Sequence, residues 1–161
     1  AFLIAAKFFQ QVRKSTNFAK NLDIALTEQI LTFPLLGIFL LSHKETNNYQ
    51  LMQHSLQGID DLNSLNNHVK ESIGCSIYSA SSLMLSLWHI DAGLIKALTH
   101  LDKVDQQKTK ASKEDELLLF MLSCLYAFSK GSQDFSELDE KAELLNIGNF
   151  VEIRTQLFNA N

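Results

Sequence analysis

An all-α fold is predicted by three observations on the 161-residue chain. Apolar residues recur at three- and four-residue steps in nearly every segment, the signature of helices with one buried stripe. A single proline and six glycines leave long uninterrupted stretches. No two runs alternate with period two around an Asn-Gly or Asp-Gly turn, so a sheet has no support. With 46 % hydrophobic and 20 % charged residues, the chain carries enough apolar surface for one substantial core. It reads as one domain, 1–161, of about seven or eight helices.

Phe2, Ala5, Ala6, Phe9 and Val12 form one stripe, with Lys7, Gln10, Arg13 and Lys14 opposite. This predicts a first helix that ends around Asn17 to Asn21, and Phe2, Leu3 and Phe8 are expected to leave part of it exposed as an interface. Asp23 is a cap for a second helix to about Leu41, marked by Leu26, Ile30, Phe33 and Gly37. Pro34 inside it removes a backbone donor and is expected to bend or break it. Ser42 to Asn48 reads as a turn, followed by Tyr49, Met52 and Leu56 at helical spacing. Ile59, Leu62, Leu65 and Val69 predict a further helix leading into Gly74.

The segment Glu71 to His100 carries the strongest signal. Ile73, Ile77, Ala80, Met84, Leu87 and Trp88 are spaced to line one helix face. Ser79, Ser81, Ser82 and Ser86 interleave, small enough for a neighbouring helix to approach. Asp91 is placed to cap the next helix through its carboxylate. Asp102 to Ser112 is the longest polar stretch and the loop candidate. Leu117, Phe120, Met121, Cys124, Leu125 and Phe128 give a strongly periodic helix that Gly131 stops. Short helices over about Glu137 to Asn146 and Asn149 to Phe158 close the chain. Leu83, Met84, Leu87, Trp88, Leu94, Leu98, Leu118, Met121 and Leu125 are the expected core.

In this order, a glycine (Gly74), an apolar helix, Trp88 and a further helix ending near His100 resemble the C-terminal half of HDOD domains. These are the signalling relatives of HD phosphohydrolases. The apolar helix from Ala25, Gly37, the run Ile38 to Leu41 and Tyr49 resemble the segment where HD-type proteins carry their histidine-aspartate pair. Pro34 and Leu35 stand at that pair. Ile77 falls where many members have histidine, and Asp91 where they have proline. Lys113 to Phe128 resembles the following helix, and Ala142 to Ile147 the small helix pair. The helical half that precedes this in an HDOD domain is absent, and the chain lacks an initiator methionine, as a piece of a larger protein would.

The resemblance implies an HD-domain or HDOD-like helical bundle with a degenerate metal motif, and a non-catalytic module of bacterial-type cytoplasmic signalling. Its partner would be a protein, an adjacent signalling domain or a second copy in a homodimer. An HD-type hydrolase needs several histidines and aspartates converging on divalent metal, and Pro34 and Leu35 can ligate nothing through their side chains. His43, His54, His68, His89 and His100 form no HExxH or adjacent His-Asp pair and read as surface or capping residues. The expectation is therefore no catalytic residue, no metal, no cofactor and no phosphoesterase activity, with binding residues unassigned. The alternative is a diverged metal-dependent phosphohydrolase acting on a nucleotide or cyclic dinucleotide. A third reading is a plain helical ligand-binding regulator.

Other chemistries lack their motifs. There is no GxSxG, P-loop or GxGxxG. The formal charge of −4 argues against a phosphate-tracking surface, and the lysines from 103 to 113 are interspersed with acids, so nucleic acid is not expected. The run Ile30 to Leu41 is too short to span a bilayer, which takes about 20 residues, and AFLIAAKFF has no basic n-region of a signal peptide. Cys75 and Cys124 lie far apart and read as buried, reduced thiols. Trp88 reads as a core anchor, with ligand stacking the minor alternative.

Overall fold

In the computed structural model, residues 2–43 and 57–159 are described, with side chains over 3–35 and 57–157. All regular structure in them is helical: α1 (Phe2–Ser15), a 3-10 turn (Phe18–Asn21), α2 (Ile24–His43), α3 (Leu62–Ile73) and α4 (Ile77–Leu87), then α5 (Ala92–Asp105), α6 (Lys113–Lys130), α7 (Ser136–Leu144) and α8 (Phe150–Asn159). Helix α6 is central, touching α2, α3, α5, α7 and the 3-10 turn, while α4 and α5 form the most intimate pair. The expected helix around Tyr49 to Leu56 lies outside the described residues, as does most of the turn from Ser42.

Helices α2 to α6 each begin where a short polar side chain accepts an orphan amide hydrogen. Asp23 Oδ1 accepts from Leu26 N at 2.8 Å, Asp61 Oδ1 from Ser64 N at 2.8 Å, and Asp91 Oδ1 from Gly93 N and Leu94 N at 2.7 and 3.1 Å. At α6 the exchange is reciprocal. Ser112 Oγ accepts from Asp115 N at 3.1 Å, and Asp115 Oδ2 accepts from Ser112 N at 2.9 Å. Gly131 ends α6 at φ +66°, as its position in the sequence predicts.

The core is aliphatic around α4 to α6 and aromatic where the chain's two ends meet. Phe8 packs edge-on to Phe128 at 5.5 Å between centroids and lies 6.5 Å from Phe150, which meets Phe120 at 5.3 Å. Phe8 is fully buried, so the expectation that it belongs to an exposed part of α1 is wrong, whereas Leu3 does face solvent. Tyr126 in α6 donates to the Ile59 carbonyl at 2.8 Å and ties down the approach to α3. Burial, and then the nearby Asp60 and Asp61 charges, push its hydroxyl up to about 12.

Two further expectations are corrected, and of the expected bend or break at Pro34 the break is excluded. Helix α2 runs through Pro34 and on to His43, so the proline does not break it; the ring is buried instead. The polar stretch from Asp102 is not all loop, because α5 continues to Asp105 with Leu101 and Val104 buried beneath it. Cys75 is only half-buried, while Cys124 is buried and its thiol is held protonated by that burial.

Candidate functional site

Helix α4 is where sequence and structure diverge most, and the divergence defines the site. Ile77, Tyr78, Ala80, Ser81, Ser82 and Leu85 face inward. Of the expected core, Leu94, Leu98, Leu118, Met121 and Leu125 are buried, but Leu83, Leu87 and Trp88 are 62, 69 and 53 % exposed, and Met84 is half-buried. The helix is rotated from the expected orientation because its serine-bearing side lets α2 and α5 come close. Ser81 loses little by burial, since its Oγ donates to the Ile77 carbonyl at 2.7 Å. Ser82 Oγ is buried with no hydrogen-bond partner among the described residues.

A polar cluster from three helices holds the start of α4. Asn66 of α3 is 1 % exposed; its Oδ1 accepts from Ile77 N at 2.9 Å, and its Nδ2 donates to Asp105 Oδ2 at 2.6 Å. Ser76, the cap, accepts from Ser79 N at 3.0 Å and donates to Asp102 Oδ1. Asp102 also accepts from Ser79 Oγ at 2.9 Å and from Gln106 Nε2 at 2.8 Å. Lys70 stands 3.6 Å from Asp105. Asp102 and Asp105 thus put negative charge at the positive end of the α4 dipole. Burial first, and then these two carboxylates, raise the Tyr78 hydroxyl. Two acids and two serines in one place invite a catalytic reading, yet both acids are taken up by hydrogen bonds that brace α4.

The other end of α4 closes in a Schellman turn: Ile90 N donates to the Leu85 carbonyl and His89 N to that of Ser86, with His89 at φ +54°. Ile90 packs back on the core, which leaves Trp88 and Leu87 standing outward beside Leu83. From Cys75 to Ile90 the chain has no Asp, Glu, Lys or Arg. The exposed strip of α4 is therefore apolar and free of formal charge, on a helix fixed at both ends.

The remaining sequence candidates are dispersed. Pro34 is buried and Leu35 half-buried within α2. His100 Nε2 lies 3.1 Å from both Asp115 oxygens and links α5 to α6; His89 is exposed and His68 half-buried; His43 and His54 fall outside the described side chains. Among the described residues, no three His, Cys, Asp or Glu side chains are grouped to hold a metal, and no helix is long and apolar enough to cross a membrane. A shallow cleft of about 450 Å³ between α1 and α8, lined by Lys14, Asn149 and Glu152 among others, mixes charges of both signs. Comparison with family models, with curated proteins and with solved structures yields no match.

Proposed function

We propose that the chain is a non-catalytic, HDOD-like helical interaction module that binds a protein partner through the outer face of α4. The observation that carries this reading is a helix without formal charge, with one side in its own core and the large apolar side chains Leu83, Leu87 and Trp88 uncovered on the other. The three side chains expose on the order of 400 Å², given the roughly 150–250 Å² that a buried aromatic covers, a size at which the largest apolar patch of a monomer is often functional. The lack of charge matches the depletion of charged residues at interface centres.

The resemblance to HDOD domains supports the regulatory side of the proposal. Trp88 and Gly74 stand at the family's helix-end tryptophan and glycine, and Pro34-Leu35 at its histidine-aspartate pair, so the module would act in cytoplasmic signal transduction by docking to a protein or adjacent signalling domain. Radical footprinting in intact cells, against the purified protein at low micromolar concentration, tests the docking face. Trp88 and Leu87 should be oxidised readily in the dilute protein and protected several-fold in cells. Equal oxidation in both would refute the proposal.

A further inference from the structure

We infer that the partner on this face is a second copy of the chain, docked across a two-fold axis through α4; the inference rests on the preceding reading of the α4 face. Area is the first argument. A two-fold contact uses the same patch twice, so Leu83, Leu87 and Trp88 of both copies together supply on the order of 800 Å² of apolar surface. At the roughly 65 % apolar content of homodimer interfaces, this corresponds to about 1,200 Å² in total, the lower bound of a stable interface.

Charge is the second argument. The chain carries a formal −4, so two copies repel wherever acidic surfaces meet. The stretch from Cys75 to Ile90 carries no Asp, Glu, Lys or Arg, and self-contact there opposes no carboxylates. Shape is the third. Leu83 and Leu87 are four residues apart and form one ridge along the helix, with the small, exposed Ser86 beside it. Ridges of this i, i+4 kind interdigitate with their own copy when two helices cross. The structure needs no rearrangement to present the strip, because Asn66, Ser76 and the His89 turn already fix both ends of α4.

Trp88 is the only tryptophan, so its fluorescence reports on this face alone. Light scattering and tryptophan emission are to be followed together from about 1 to about 500 μM, a span that covers micromolar to submillimolar affinities. The expected result is a mass rising from 18.2 kDa towards twice that value, with a parallel blue shift of emission. Leu87→Glu should weaken association at least about 30-fold, as removal of a central interface residue does, with unchanged helix content by circular dichroism. Leu83→Lys serves as the second variant should the first fold poorly. A wild type that stays monomeric throughout, or a dimer unaffected by either substitution, overturns the inference. A purified monomer whose Trp88 is nevertheless protected in cells overturns self-association alone and leaves docking to another protein standing; a monomer with Trp88 unprotected overturns both.

Discussion

Replacing Asn66 by alanine should cost about 3–4 kcal/mol of stability, and the figure can be built from its contacts. The amide oxygen is the acceptor for Ile77 N, the first amide of α4, at 2.9 Å in a buried setting. Deleting it leaves a buried N–H unpaired, which costs about 1–3 kcal/mol. The amide nitrogen donates to the Asp105 carboxylate at 2.6 Å, and a hydrogen bond to a charged group contributes about 1.5–3 kcal/mol. Asp105 keeps Lys70 at 3.6 Å, so the loss belongs near the lower end of that range. Urea unfolding followed at 222 nm is the assay, with an unchanged slope required before the midpoints are compared. In a chain of this length the melting temperature should fall by roughly 6–16 °C. Asn66→Asp is the sharper control. It keeps an acceptor for Ile77 but sets a second carboxylate against Asp105, which raises the affinity of the pair for a proton. Its penalty should be full at pH 7 and shrink as the pH falls through the raised pKa. A loss below about 1 kcal/mol for Asn66→Ala would refute the view that this cluster braces α4, since a surface substitution costs no more.

Other substitutions probe the same arrangement. Leu85→Ala should cost about 2–5 kcal/mol and Leu87→Ala, in dilute monomeric protein, within about 0.5 kcal/mol; equal losses in chemical denaturation would contradict the orientation of α4. Ser82→Ala removes a buried hydroxyl that has no partner among the described residues and should stabilise by about 1 kcal/mol, measured the same way. His89→Gly relieves a left-handed residue at the Schellman turn and should also stabilise by about 1 kcal/mol in thermal melts. Burial disfavours the Asp115 charge, but the Ser112 amide, His100 and the Ser112 hydroxyl outweigh it and hold the carboxyl below its usual range. Its stabilisation is therefore present above the unfolded pKa of about 3.9 and lost as the pH falls through the lower folded value. Asp115→Asn should cost about 1 kcal/mol at pH 7 and progressively less in acid.

The all-helical fold was legible because periodicity and caps agree. Asp23, Asp91 and Gly131 sit where the sequence puts them and do what residues of their type do at helix ends. The end of α5 was illegible for a related reason: Gln107 takes the left-handed position there at φ +57°, a place where glycine would have announced the stop. Pro34 does not end α2, because apolar contacts on both sides of it, Ile30, Leu31, Phe33 and Leu35, hold the helix to the core. The orientation of α4 could not be read from hydrophobicity, since both of its sides are apolar. The inward side was decided by how closely serine and alanine let α2 and α5 approach, a property of the neighbours rather than of the segment. The brace formed by Asn66, Asp102 and Asp105 joins residues 11 to 39 positions apart and leaves no local pattern at all.

The contact between Phe8 and Phe150 has a consequence for the protein's synthesis. The two residues are separated by about 140 positions, and at roughly 5–20 residues per second a ribosome takes about 7–30 s to pass from one to the other. Helix α1 emerges with Phe8, Phe9 and Val12 on one side and completes its aromatic packing only when α8 arrives. The packing of α1 is thus completed only by α8, and until that helix is made the apolar face of α1 depends on temporary cover, by chaperones or by loose contact with α2 and α6.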